Sequence, residues 1–282
     1  MRLVCPTAFK GTFSPLEAAR RLARPGDRVL PLSDGGDGFL ECLQYALGGT
    51  FEARPAADPF GRVRQVPVLR LPDGTVALEC ARVIGLAGLD RLDPRGASSR
   101  GFGDLVAAFQ DAPRLWIGLG GSATVDGGRD WPDLALPPCR VFCDVATEWR
   151  EAAARFGPQK GARPEEVPVL QARLEALGLP SGPGTGAAGG LGGRLKALGA
   201  RLEEGALAFL DLVGFDLACE GCEEVLTGEG RLDAGTLEGK LPLRVAQRAH
   251  ALGLRVAGHF GTRGPGWEAA ASGFDEVRFG LD

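Results

Sequence analysis

The chain has 282 residues, 44% of them hydrophobic and 24% charged, with a formal net charge of −4. That is enough apolar sequence for one large or two ordinary α/β domains, and the mild acidity excludes the basic footprint of a nucleic-acid binder. No uninterrupted apolar stretch reaches the roughly 20 residues needed to cross a bilayer, and "MRLVCPTAFKG" lacks a secretory apolar block. The expectation is a soluble, cytoplasmic enzyme with small-molecule partners and no membrane or nucleic-acid partner; a homodimer is compatible with it.

The first element is a strand, "RLVC", followed by a loop and a helix whose start is well marked. Ser14 is placed as N-cap, Pro15 as the first helical residue and Glu17 as the reciprocal capping partner. "RVLPL" then runs into "SDGGDG" and a helix with Phe39, Leu40, Leu43 and Leu47 on one face. Residues 51 to about 94 break this grammar: "VRQVPVLRLPDGTVALECARV" alternates around a Pro-Asp-Gly turn and predicts an antiparallel hairpin.

"RLWIGLG" is a strand leading into "GGSATVDGG". After it come "CRVFCDV", a helix around "VLQARLEALG" and the Pro/Gly stretch "LPSGPGTGAAGGLGG". "EEVLT" is a strand running into a loop, "GEGRLDAGTLEGK", and then a helix with Leu241, Val245, Ala249 and Leu252 at helical spacing. Strands "LRVAGHF" and "DEVRFGL" finish the chain.

Strands alternating with helices predict a doubly wound, mainly parallel α/β sheet, whose ligands bind beyond the carboxyl ends of the strands. The expected Rossmann- or flavodoxin-like domain comprises residues 1–50, 95–130 and 205–282. Residues 51–94 and 131–204 form a second, inserted α+β domain. All four Gly-rich loops are expected at the carboxyl edge of the first sheet.

Of the seven cysteines, only "CEGC" has metal or redox spacing, and Cys5, Cys80 and Cys143 lie in apolar strand-like runs, so buried small hydrophobes are favoured over zinc ligands. His250 and His259 belong to no hydrolase triad. "GTLEGKL" fails as a Walker A loop, and "GTGAAG" matches a dinucleotide fingerprint only as a string, because it follows proline rather than a strand.

Lysine usage is more telling. Only four of the 32 basic residues are lysines, and three of them, Lys10, Lys160 and Lys240, sit beside glycine. A compact ammonium in a glycine loop suits phosphate, and successive backbone N–H groups of such a loop form an anion nest. Lys196 is expected to be an ordinary solvated residue. The same loops carry Asp34, Asp37, Asp126, Glu229 and Asp233, the ligands and bases that phosphoryl transfer requires.

In chain order, "FKGTFSP", "SDGGDG", "SSRGFGDLV", "IGLGGSATVDGG", "CDV", "FGPQKGA", "PGTGAAGGLGG" and "TGEGRLDAGTLEGKLP" resemble the bacterial glycerate kinase family that lacks a P-loop. The resemblance implies transfer of the γ-phosphoryl of ATP to glycerate, typically at the 2-hydroxyl, with Mg2+. Lys10, Lys160 and Lys240 then become counter-charges for phosphate or carboxylate. Gly120, Gly121, Ser122 and Thr124 form a cradle, joined by Gly228 and Glu229 on the nucleotide side. Ser99 and Arg100 would grip the glycerate carboxylate, and Asp34, Asp37, Asp126 and Asp233 are candidates for general base and magnesium ligand, Asp126 for the metal.

The sequence departs from the family pattern at Thr7 and Ala8, where the family has Asp-Ser, and at Val125, where it has Asn. "ATEW" replaces Asn-Pro-Leu after "CDV", and several tens of residues are missing before it. Alternative readings are a kinase for another small hydroxy acid and a member that binds ligand without turnover.

Overall fold

The computed structural model describes residues 1–280. Its strands, in chain order, are β1 (Arg2–Val4), β2 (Arg28–Val29), β3 (Thr50–Ala57), β4 (Val63–Arg70), β5 (Val76–Glu79), β6 (Leu115–Gly118), β7 (Cys139–Cys143), β8 (Arg201–Glu204), β9 (Glu224–Leu232), β10 (Arg255–Arg263) and β11 (Glu276–Phe279). The chain divides into two compact units, residues 1–47 with 206–282, and residues 48–205.

In the first unit five strands lie in the order β11-β10-β9-β1-β2, all parallel. From β1 the chain moves one way to β2 and the other way to β9, β10 and β11. The order therefore reverses between β1 and β9, the kind of crevice at which α/β sheets bind ligands. The Ser14 capping box forms as the sequence predicts: the Ser14 amide donates to Glu17 Oε2 (2.8 Å) and the Glu17 amide to Ser14 Oγ (3.3 Å), opening helix Pro15–Leu22. The predicted face of helix Leu241–Ala251 buries Leu241, Val245 and Ala249, while Leu252 falls just beyond its end and is exposed.

"GEGR" is strand, not loop. β9 continues through Leu232 because Gly228 lies opposite His259 in β10; a Cβ on Gly228 would stand 1.7 Å from the His259 carbonyl oxygen, so only glycine admits that approach.

The second unit holds six strands in the order β3-β4-β5-β6-β7-β8. The predicted hairpin around the Pro-Asp-Gly turn is present, with Leu69 opposite Ala77 and Arg70 opposite Val76, and β3 adds a further antiparallel strand. From β5 to β8 the pairing is parallel. β6 lies between β5 and β7, so residues 95–130 belong to this unit and not, as expected, to the first. The Gly-rich loops are divided accordingly: three follow strands of the first sheet and "GGSATVDGG" follows β6. Buried Leu78, Phe102, Ile117, Val141 and Leu191 form the main core of this unit. Helix Ala187–Ala197 passes through the "GGLGG" stretch, interrupted where Ala188, Gly189 and Gly190 take positive φ. All seven cysteines are buried and none forms a disulfide, and burial pushes the Cys80 thiol up to about 12.

Candidate functional site

In the first unit the turn after β9 folds back onto the strand. Asp233 caps the short helix Ala234–Glu238, its Oδ1 accepting from the Gly235 amide at 2.9 Å. Thr236, fully buried, donates its hydroxyl to Glu229 Oε1 at 3.0 Å. Lys240 closes the turn with its ammonium 3.4 Å from Asp233 Oδ1 and 3.9 Å from Glu229 Oε2. Burial raises the Glu229 carboxyl above its ordinary range; Lys240 and the Thr236 hydroxyl oppose that, and the charges of Asp34 and Asp233 reinforce it.

The loop after β1 packs on the same strand. A Cβ on Gly230 would lie 3.3 Å from both the Lys10 amide nitrogen and Phe9 Cα, so glycine lets the two backbones touch. Lys10 itself is exposed. The Thr7 amide donates to the Gly228 carbonyl at 2.9 Å, and its hydroxyl reaches the same oxygen at 3.3 Å, so this departure from the family pattern ties β1 to β9. After β2, Asp34 accepts from the Gly36 amide (3.1 Å), and Asp37 is exposed.

In the second unit, Gly121 is the only exposed residue between Leu115 and Val125, and its φ is +69°. Ser122 and Thr124 are buried beneath it. Lys160, 4% exposed, donates to Ser122 Oγ (2.9 Å) and to the Thr124 carbonyl oxygen (2.8 Å). Burial brings its ammonium down to about 8, offset in part by Cys80, Asp126 and Asp144.

The structure redirects several expectations. Ser99 is fully buried, and its amide (2.7 Å) and hydroxyl (2.9 Å) both donate to Asp126 Oδ2. Asp126 Oδ1 accepts from the Gly128 amide at 3.4 Å. A carboxylate so engaged links two backbone segments, the role its geometry gives Asp126 here. Arg100 is exposed and pairs with Asp104 at 2.8 Å, one helical turn on. Gly228 sits inside the β9–β10 ladder, where the absence of a Cβ admits the His259 carbonyl.

Thr236 was not singled out in the sequence; the Asp-x-x-Thr spacing to Asp233, which resembles a capping box, is the signal that finds it. Lys196 is exposed, as expected, and donates to the Ser181 carbonyl at 2.8 Å.

Among the described residues no group of three or more His, Cys, Asp or Glu is arranged to hold a metal ion. Magnesium bound with a nucleotide needs only one or two carboxylates, the remaining ligands being water and phosphate. Around Glu229, Asp34 and Asp233 add negative charge, while Asp233 is itself paired with both Lys240 (3.4 Å) and Arg231 (3.6 Å).

A model of the glycerate kinase family matches residues 2–130 and 132–279. The chain belongs to the glycerate kinase family. The glycerate kinase of Bacillus subtilis is 33% identical over 322 residues, spanning 92% of this chain and 84% of that one. Glycerate 2-kinase of Escherichia coli is 28% identical over 309 residues, spanning 88% and 81%. A crystal structure from Salmonella typhimurium LT2, designated a glycerate kinase 2, matches with a TM-score of 0.77 and 28% identity over 99% of this chain and 89% of that one.

Two departures of this glycerate kinase family member meet in space. Val125 and Trp149, the latter from "ATEW", are 1% and 4% exposed and share one apolar cluster with Leu170, Leu174 and Leu179. Both substitutions are thus accommodated by packing in the interior of the second unit.

Proposed function

We propose that the protein transfers the γ-phosphoryl group of ATP to D-glycerate at the 2-hydroxyl, giving 2-phosphoglycerate. The observation that carries this reading is the family match along nearly the whole chain, with its loop motifs in order. The similarity to a relative named glycerate 2-kinase supports the choice of hydroxyl.

In this reading Lys10 and Lys240 are compact counter-charges for phosphate oxygens. The backbone of Gly121, with buried Gly120 beside it, forms the outer part of an anion cradle, shaped from below by Ser122 and Thr124. Magnesium, when bound, neutralises charge between phosphate oxygens, and Asp34 and Asp233 are the carboxylates that would hold it. Glu229, half-buried and held by Thr236, orients Lys240. Asp37 is the exposed acid of the same loop as Asp34 and the remaining candidate for a base. Arg100 would reach the glycerate carboxylate by exchanging Asp104 for it, with Ser99 fixing the start of its helix.

Two measurements test the proposal. Saturating Mg-ATP should raise stability by about 2.7 kcal/mol at one hundred times the dissociation constant. ADP release coupled to a panel of small hydroxy acids should be fastest with D-glycerate, and carbon NMR of the product should show phosphorus coupling consistent with a 2-phosphate. No thermal shift, or a product coupled only as the 3-phosphate, overturns it.

A further inference from the structure

The lysine pattern in the sequence points to three phosphate-facing ammonium groups, and the structure separates one of them from the others. Lys10 is exposed and Lys240 half-exposed, whereas Lys160 is buried and forms no ion pair among the described residues. Two of its three N–H donors go to one short stretch, the Ser122 hydroxyl and the Thr124 carbonyl. Both acceptors lie on the inner side of a loop whose exposed residue is Gly121.

The backbone that carries Lys160 is itself fixed. The turn Pro158–Lys160 ends at Gly161, with φ +94°, and a Cβ there would stand 2.7 Å from Leu92 Cβ. Nor is Lys160 the loop's only support. A Cβ on Gly189 would lie 2.0 Å from the Thr124 carbonyl oxygen, so the left-handed turn at 188–190 presses directly on the same peptide. Farther along, the Gly127 amide donates to the Gly189 carbonyl (3.1 Å) and Asp126 takes both Ser99 donors.

We propose that Lys160 is a positioning residue: it fixes the 119–128 loop from beneath, so that the backbone at Gly120 and Gly121 is already shaped for a phosphate that Lys160 itself does not touch. The inference rests on the kinase reading for the identity of the anion, but the tie between Lys160 and the loop does not. It also explains why lysine stands here in an arginine-rich chain. A compact ammonium presents three N–H donors from one nitrogen on a flexible stem, whereas a guanidinium is a larger planar fork, and a preorganised donor loop is worth most when it need not rearrange as charge arrives.

The test uses the full chain as wild type, Ser122→Ala, Lys160→Met and the double variant, with amide hydrogen exchange and Mg-ATP affinity by calorimetry as readouts. Lys160→Met should speed exchange over residues 119–128 about tenfold while leaving the β9–β10 ladder unchanged. Its loss of Mg-ATP affinity should already contain that of Ser122→Ala, the double variant falling no more than about twofold further. Losses that multiply in full would put the Lys160 ammonium on the phosphate, and unchanged exchange would remove the tie; either overturns the proposal. Should Lys160→Met fail to fold, Lys160→Gln, which keeps one donor, takes its place with the same two criteria. Exchange is read without nucleotide, so a wild-type protein that phosphorylates no hydroxy acid would overturn the kinase reading alone.

Discussion

Ser99 gives its amide and its hydroxyl to a single oxygen of Asp126, at 2.7 and 2.9 Å. The serine occupies the N-cap position of helix Arg100–Ala107, yet its hydroxyl makes no cap bond and turns to the carboxylate instead. Asp126→Asn would confront these donors with an amide, and a lost buried acceptor should destabilise the fold by about 2 kcal/mol in urea unfolding. Ser99→Ala, which keeps the amide bond, should cost about 1 kcal/mol. Neither variant should change the magnesium concentration required for turnover. A rise of about tenfold in that requirement for Asp126→Asn alone would place Asp126 at the metal.

Lys160 makes a pH prediction whose sign is fixed. Its folded-state value of about 8 lies below the roughly 10.4 of an unfolded lysine. Below pH 8 both states carry the proton and the folded state bears the full cost of a buried charge. As pH rises from 8 toward 10.4 the folded state loses the proton first, the unfolded state binds more, and stability rises. The unfolding free energy of wild type relative to Lys160→Met should therefore increase by about 3 kcal/mol across that window. A flat difference would mean that the ammonium is not desolvated.

Lys240 and Lys196 form a matched pair for kinetics. Lys240 stands between Asp233 and Glu229, whereas Lys196 is exposed and reaches only a carbonyl. Lys240→Arg should lower kcat/KM at least about tenfold, corresponding to about 1.4 kcal/mol of transition-state stabilisation. Lys196→Arg should leave it within about twofold, as surface changes do. Equal kinetics at equal melting temperature would take Lys240 out of the site.

Gly189 and Gly199 separate close approach from backbone conformation. Both have positive φ, but a Cβ at Gly199 meets nothing within 4 Å, whereas at Gly189 it meets the Thr124 carbonyl at 2.0 Å. Gly199→Ala should cost about 1 kcal/mol, the left-handed strain alone. Gly189→Ala should cost about 3 kcal/mol or more, because backbone must move. Similar costs for the two would show that the turn at 188–190 does not brace the loop.

What the sequence by itself determined is what its local chemistry encodes. Ser14, Pro15 and Glu17 make a helix start from partners three residues apart, and the Pro-Asp-Gly turn sets the β4–β5 register from its two flanks. The loops with their lysines and carboxylates read as phosphate chemistry because glycine frees backbone amides while Lys and Asp supply counter-charge and ligand. Tertiary structure alone decided the rest. Nothing local in "RLWIG" says that its neighbours are β5 and β7, since a buried strand pairs by shape and register with residues far along the chain. "GEGR" reads as loop until β10 arrives to pair with it, when Gly228 becomes the residue that admits the His259 carbonyl. Likewise no spacing tells that Asp126 turns toward Ser99 or Lys160 toward Ser122. The direction of a charged side chain depends on which donors and acceptors the completed fold leaves around it, and for these two residues the strong partners lie 27 and 38 positions away.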